Sequence, residues 1–332
     1  MMNDEANSGR FEGAGSVFYF GFFSRFARCW RLFVPMLRFF LLGSAIVALS
    51  FHGQAAESFV PHRQRPVSAD PALKELSGLA RSGRDGGLFW ALNDSGNSPV
   101  LYLLDGQGQS RGWVGVAGEA NTDWEDFDAF TLEGRPYLLV ADTGDNLAQR
   151  IFCTLFIVPE PRLAESTQGL EIRSAWKIQF RYPGGPRDCE SVAVDPRSME
   201  IFLISKRTWP QELYSLPLRP LPSVAPVVAR RRGIVNLPEA APWEGPYASQ
   251  STGLAFNPEG NLAAVLTYAR VFLFVRQTNE TWEQAFARKP EGLRRHGLEQ
   301  AEGLAFSADG KQILVMSEGV GAAMVIYQAR GR

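Results

Sequence analysis

Five oxygen-bearing side chains recur at the same place in five similar segments of the sequence. Each segment begins with a short apolar strand pattern that opens on a serine, a threonine or a glutamate. The five residues are Ser77, Glu125, Glu190, Thr252 and Glu302. Carboxylates and hydroxyls without histidine or cysteine are the ligands of a hard cation, and calcium's six to eight flexible oxygen ligands suit them better than magnesium's rigid octahedron. The pattern therefore predicts one Ca²⁺ site, provided that the fold brings the five together.

A second polar residue ends the next strand of each segment. It follows the first by 16 or 17 residues, at Asp94, Asp142, Lys206, Tyr268 and Glu318. Because the two strands of an antiparallel pair run in opposite directions, the start of one and the end of the other lie at the same edge. All ten residues should therefore surround one mouth. Carboxylates that face each other repel, so Lys206 is an alternative to a metal as the neutralising cation.

The elements that position these residues are short strands in a repeating order. Each of the five strand pairs is followed by a third apolar strand, and most by a fourth. Four antiparallel strands repeated at 50–65 residues predict an all-β, five-bladed β-propeller. Dividing residues 56–332 by about 45 residues per blade gives six blades, which is the alternative. The last repeat lacks a fourth strand, and the extended segment 58–63 should supply it and close the ring.

The N-terminal part of the sequence has the features of an export signal. Residues 39–49, FFLLGSAIVAL, are apolar, follow Arg31 and Arg38, and precede the small residues Gly53 and Ala55. This pattern is typical of a secretory signal cleaved after Ala55, which predicts a single propeller domain at 56–332 in the bacterial periplasm or outside the cell. The apolar run is shorter than the ~20 residues of a spanning helix. An uncleaved anchor is the alternative, and a cleaved chain would not insert stably into a membrane.

Composition excludes several classes of function. The formal charge of -1 offers no basic surface for nucleic acid. Three cysteines and three histidines are too few for a disulfide scaffold or a zinc cluster. With Cys29 inside the signal, we expect Cys153 and Cys189 to be buried free thiols, a disulfide between them being the alternative. The balanced charge favours a monomer.

The motifs ELS, CES and AEG around Ser77, Glu190 and Glu302 resemble those of the calcium-activated nucleotidases, which are five-bladed propeller apyrases. That family carries Ser, Glu, Glu, Ser and Glu at the starts of its inner strands, and they hold one calcium in the channel. The resemblance covers roughly residues 75–305. The apyrase loop Asp-Asp-Arg-Thr-Gly is replaced here by residues 93–97, NDSGN, so the phosphate-binding arginine is missing. The chain is also similar to phytase-like and gluconolactonase-like propellers, and to exported bacterial propellers of unassigned function that carry DWED and ADTGDN.

The resemblance implies a calcium-dependent hydrolase of a phosphate or related ester, acting at the channel mouth. In that mechanism the metal polarises the substrate or its attacking water, and Asp94 or Asp142 is the general base. Lys206 and Arg207 would neutralise developing negative charge. Glu318 is a further catalytic candidate at the mouth. Tyr268 and Trp124 are candidates for stacking on a ring-shaped substrate. The alternative is a structural calcium in a propeller that binds a ligand or protein without reaction, because propellers host both.

Overall fold

The computed structural model describes residues 58–66, 71–162, 169–223 and 225–331. The predicted signal, residues 1–55, lies outside them. The described chain forms five small sheets, and each of the five sequence repeats supplies the first strands of one sheet. None of the helices in the described ranges is long and apolar enough to cross a lipid bilayer.

The blades follow one another along the chain. Blade 1 contains β2 (Leu76–Arg81), β3 (Leu88–Asn93), β4 (Val100–Asp105) and β5 (Ser110–Val116). Blade 2 contains β6 (Trp124–Leu132), β7 (Arg135–Asp142), β8 (Cys153–Pro159) and β10 (Trp176–Arg181). Blade 3 contains β11 (Cys189–Val194), β12 (Glu200–Ser205), β13 (Gln211–Pro217) and β15 (Arg230–Val235).

The last two blades complete the ring. Blade 4 contains β16 (Ser251–Phe256), β17 (Leu262–Thr267), β18 (Val271–Val275) and β19 (Glu291–Gly292). Blade 5 contains β20 (Ala301–Phe306), β21 (Gln312–Ser317) and β22 (Ala323–Ala329). A 3₁₀ turn at Pro242–Glu244 precedes β16, and α1 (Trp282–Ala287) lies between β18 and β19. The five-blade prediction is confirmed, and the six-blade alternative is wrong.

The two ends of the propeller domain meet in blade 5. The strand β1 (Phe59–Pro66) pairs antiparallel with β22, from Phe59 opposite Ala329 to Pro66 opposite Ala323. The predicted closure by an N-terminal strand is therefore confirmed. Since β1 covers the outer edge of the last blade, opening the ring requires that these two strands separate.

Two short strands also join neighbouring blades at their outer edges. The strand β9 (Leu170–Ile172) leaves the blade 2 segment and pairs in parallel with β5 of blade 1. The strand β14 (Val227–Val228) leaves the blade 3 segment and pairs in parallel with β10 of blade 2. Each covers an edge that would otherwise expose unpaired backbone groups.

The hydrophobic core is divided into five clusters, and each cluster is shared by two adjacent blades. The second strand of each blade is buried on both faces because a neighbouring blade covers each one; β12, for example, is buried at every residue after its first. Burial of one Leu, Val or Phe side chain contributes about 1.5–3 kcal/mol. The core therefore stabilises the packing of each blade against the next. The five inner strands contact each other in sequence order around the channel.

The inner strands approach each other closely, and a glycine makes this possible at several contacts. A Cβ on Gly303, directly after Glu302, would lie 2.7 Å from Leu76 Cδ2 on the next inner strand. A side chain at this position would therefore push β20 away from β2 and widen the channel.

Candidate functional site

The five predicted ring residues occupy equivalent positions at the channel mouth. In every blade the inner strand carries one extra residue near its start, where its register against the second strand shifts. Such a bulge changes the direction in which a side chain points. The bulges contain, in blade order, Ser77, Glu125, Glu190, Thr252 and Glu302.

Backbone hydrogen bonds place the second set of polar residues on the same face. The N–H of Asp94 donates to Glu75 O at 2.8 Å, and the N–H of Lys206 donates to Asp188 O at 2.9 Å. The N–H of Glu318 donates in the same way to Gln300 O, also at 2.9 Å. Each acceptor lies two residues before a ring residue. The ends of the second strands and the starts of the inner strands therefore meet at one mouth.

A buried acid triad lies at this mouth, formed by Glu125, Asp188 and Glu190. Each can offer one carboxylate oxygen so that the three oxygens lie within 4.8 Å of one another. The residues are only 3%, 3% and 4% exposed. Lys206 is ion-paired with Glu190, and Arg207 Nε lies 2.6 Å from Asp188 Oδ2. Glu190 Oε2 is buried and accepts no hydrogen bond.

A second, outer acid group shares Glu125 with the triad. Oxygens of Asp94, Asp123 and Glu125 also lie within 4.8 Å of one another, and Asp94 and Asp123 are partly exposed. Burial raises the pKa of Asp123 to about 6, with the negative charge of Asp94 adding to the effect. Burial and the charge of Glu190 raise the pKa of Glu125 well above its usual range. Acidic groups thus converge from the partly exposed Asp94 and Asp123 to the buried Glu125, and their proximity disfavours ionising all of them without a cation.

The neighbouring loop is shaped around these carboxylates. Gly144, in the ADTGDN motif, packs so closely that a Cβ there would lie 2.2 Å from Glu125 Oε1 and 2.5 Å from Asp123 Oδ2. The loop is fixed by the N–H groups of Thr143 and Gly144, which donate to Asp123 O at 3.1 and 3.2 Å. Only a glycine leaves room for both acidic groups.

The other side of the mouth is built from a lysine, a tyrosine and a glutamate. Lys206 Nζ donates to the Tyr268 hydroxyl at 3.0 Å, and that hydroxyl donates to Glu302 Oε1 at 2.9 Å. Burial raises the pKa of Glu302 well above its usual range, and that of the nearby Glu318 is raised for the same reason. Among the described residues, Glu302 belongs to neither acid group. Thr252 donates its hydroxyl to Ala301 O at 2.6 Å.

The predicted ligand set therefore divides into two parts. In the first part, Ser77 donates to Glu125 Oε2 at 3.1 Å, and Glu125 and Glu190 are both members of the triad. Thr252 and Glu302 have other partners on the Lys206 side.

Two further predicted residues have partners of their own. Asp142 is buried, and its Oδ1 lies 2.6 Å from Arg150 Nη2, so its carboxylate is already neutralised. Trp124 is fully buried, donates from Nε1 to Ala120 O at 3.1 Å and packs against Phe156. Trp124 lies in the core between blades, where its ring has no face to offer a ligand.

Sequence reasoning did not find Asp123 and Asp188. Both lie two residues before a ring glutamate, giving Asp-x-Glu at the start of two successive blades. The same position holds an acidic or amide residue in all five repeats: Glu75, Asp123, Asp188, Gln250 and Gln300. This second periodic set was the available signal.

Beside the triad is a cavity of about 740 Å³, which we call the mouth cavity. Lys206, Arg207 and Tyr268 line one side. The loops that precede β16 and β20, residues 244–250 and 295–300, contribute the other. The mouth cavity therefore lies over blades 3, 4 and 5, and Lys206 and Arg207 border both the cavity and the triad.

No protein-family profile and no curated protein matches the sequence. Similar solved structures include the glutaminyl cyclase of Myxococcus xanthus, at 13% identity and a TM-score of 0.46, covering 82% of this chain and 98% of that one. Hydrazine synthase of Kuenenia stuttgartiensis has 12% identity and a TM-score of 0.40, covering 76% and 72%. A candidate 6-phosphogluconolactonase from Bacteroides uniformis has 17% identity and a TM-score of 0.37, covering 77% and 72%. Since one fold hosts many functions, no activity is transferred from these proteins.

Proposed function

We propose that this propeller binds calcium in the buried acid triad and hydrolyses a phosphate or related ester at the channel mouth. One observation carries the cation site: three buried carboxylates converge within 4.8 Å, and Glu190 Oε2 among them has no hydrogen-bond partner. Burying a carboxylate oxygen without a partner is costly. A cation would remove that cost.

The charges around the triad support a divalent ion. Lys206 and Arg207 balance two of the three carboxylates, and Glu125 is left with a hydroxyl from Ser77 as its side-chain donor. Asp94 and Asp123 add two further carboxylates beside it. The donors are all oxygens, which suits calcium with waters in its shell. Chain residues that would hold it are Glu125, Asp188 and Glu190, with Ser77 orienting Glu125.

The outer part of the site supports the chemistry. A bound calcium would supply Lewis acidity to a phosphoryl oxygen or to water. Asp94 is one of two partly exposed carboxylates next to Glu125, and as the general base it would accept a proton from an attacking water. Asp142 is less suited to this role because Arg150 holds it. Lys206 and Arg207 line the adjacent cavity and would neutralise negative charge that develops on a phosphoryl group bound there.

The calcium site is tested by thermal unfolding of the protein in calcium and in chelator. We expect calcium to raise the melting temperature, because it binds the folded state only. Glu190→Gln should remove most of this increase, whereas Glu171→Gln, on the exposed strand β9, should leave it unchanged. A wild-type melting temperature that does not respond to chelator would refute the site.

Hydrolysis is tested by phosphate release from nucleotides and phytate in the presence of calcium. Asp94→Asn should lower turnover by about 10²-fold or more, the usual contribution of a general base, and should retain most of the calcium-dependent thermal increase. Turnover that is equal in Asp94→Asn and the wild type would exclude Asp94 as the base.

The burial of the triad also favours a second candidate function. A cation among residues only 3–4% exposed would be enclosed, as structural ions are, and the mouth would then bind a ligand without reaction. Calcium-dependent stability without phosphate release from any of these substrates would support this alternative.

A further inference from the structure

The mouth cavity has a volume suited to a small organic molecule. Ligand pockets are commonly about 300–1,000 Å³, and this cavity is about 740 Å³. It opens beside the triad and not into it, because Lys206 and Arg207 form the boundary between the two.

One cation on the cavity wall is not firmly held by another residue. Arg295 Nε lies 3.8 Å from Glu244 Oε1, which is beyond hydrogen-bonding distance. Glu244 is already engaged: Oε1 accepts from Arg270 Nη2 at 2.7 Å, and Oε2 accepts from the N–H of Ala241 at 2.9 Å. The side chain of Arg295 is 47% exposed. Its guanidinium is therefore available to an anion, with Glu299 as the remaining acidic residue of the lining.

Two tyrosines give the cavity aromatic walls. Tyr247 lines the cavity and is 60% exposed, so its ring has a face open to a ligand. Tyr268 is held at its hydroxyl between Lys206 and Glu302, so its ring is fixed in place. A planar ligand can stack on such rings while its charged group faces the cations.

We propose that the mouth cavity binds a phosphate monoester of a ring-containing compound, with Arg295 contacting the phosphate and Tyr247 stacking on the ring. This inference rests on the proposed function, since it names the substrate class of that same mouth. Lys206 and Arg207 line the same cavity and pair with two triad carboxylates, so the cavity adjoins the proposed cation site. Arg295 supplies positive charge, because its ion pair with Glu244 is long, at 3.8 Å, and Glu244 Oε1 is shared with Arg270.

Phenylphosphonate is the probe, because its C–P bond resists hydrolysis. Its affinity for the full chain in calcium is measured by titration calorimetry against methylphosphonate, which lacks the ring, and benzyl alcohol, which lacks the charge. We expect phenylphosphonate to bind about five- to tenfold more tightly than methylphosphonate, and benzyl alcohol to show no saturable binding. Tyr247→Ala should remove the advantage of the phenyl group and leave methylphosphonate binding unchanged.

Arg295→Gln should weaken phenylphosphonate binding at least tenfold, as the loss of a charge-assisted hydrogen bond does. Arg294→Gln is the matched control, because Arg294 is the adjacent exposed arginine and is not part of the cavity lining. This variant should bind phenylphosphonate like the wild type. Equal affinities in the two variants, or equal binding of benzyl alcohol and phenylphosphonate, would overturn the proposal. A wild-type protein that is stabilised by calcium but does not bind phenylphosphonate refutes this inference alone. Phenylphosphonate binding without any response to calcium refutes the cation site instead.

Discussion

Asp126, on the inner strand of blade 2, accepts a hydrogen bond from the backbone N–H of Leu254, on the inner strand of blade 4, at 3.2 Å. The same oxygen, Oδ2, accepts from the N–H of Val192 on blade 3 at 2.6 Å. An inner strand has only one partner in its own sheet, so N–H groups on its free edge need other acceptors. One buried carboxylate thus joins three blades inside the channel.

Replacing Asp126 should destabilise the propeller strongly. Asp126→Ala leaves the N–H groups of Val192 and Leu254 without this acceptor, and an unsatisfied buried donor costs about 1–3 kcal/mol. We expect a loss of about 2–6 kcal/mol in the free energy of unfolding, measured with urea. Asp126→Asn keeps a carbonyl acceptor and should lose less. If the alanine variant were as stable as the asparagine variant, the cross-channel hydrogen bonds would not contribute to stability.

Gly144→Ala should disturb the acid groups without touching a carboxylate. The new Cβ would lie 2.2 Å from Glu125 Oε1, so the glutamate or the loop must move. We expect the affinity for calcium to fall at least tenfold. The affinity is measured from the rise in melting temperature as a function of calcium concentration. The control is Gly115→Ala in β5, whose Cβ would meet nothing closer than 3.8 Å. If Gly144→Ala had the calcium affinity of the wild type, the close packing of this loop would not be needed for the cation site.

Much of this architecture could be predicted from the sequence because it is periodic. Repeated strands specify five blades, and the extended segment at 58–63 specifies the closure, since strand spacing and antiparallel pairing follow from the backbone alone. The strands β9 and β14 could not be found in this way. They are three and two residues long and pair with another blade, so no local pattern marks them.

The site was harder to predict because its blades differ from one another. The periodic positions predict that Glu302 and Glu190 are equivalent. In the structure, however, Glu302 accepts a hydrogen bond from Tyr268, whereas Glu190 lies with Asp188 in the acid triad. Which partner a carboxylate finds depends on side-chain length and direction at each bulge, which spacing does not encode. Trp124 shows the same limit: it directly precedes the ring residue Glu125 and was predicted at the mouth, but its ring is buried between blades.

The thiols of Cys153 and Cys189 should be unreactive in the folded protein. Both are free and buried, and burial raises the pKa of each to about 12. Because the thiolate is the reactive form, we expect neither to react with a thiol reagent until the chain is unfolded. The measurement uses a Cys29→Ser background, so that only these two thiols are counted. Failure of both to react in denaturant without reductant would indicate a disulfide.

His296 should make the protein less stable in mild acid. Its ring is buried, Nδ1 accepts from the N–H of Leu298 at 3.1 Å, and Nε2 faces Thr267 O at 3.1 Å, so the neutral ring with its proton on Nε2 satisfies both contacts. Burial lowers the pKa of His296 to about 4, partly opposed by Thr267 O, while the charges of Arg295 and Arg270 lower it further.

Since the folded pKa of His296 lies below the unfolded value of about 6.5, the unfolded chain binds a proton first as the pH falls. The folded state therefore loses stability between about pH 6.5 and 4, by up to about 3 kcal/mol. The glutamine in His296→Gln does not bind a proton in this range. The wild type should therefore lose stability relative to the variant as the pH falls, so the difference between their free energies of unfolding should decline. The difference is measured by urea titrations at successive pH values, which cancels the carboxylates common to both proteins. A difference that stays constant from pH 7 to 4 would show that the histidine is protonated equally easily in both states.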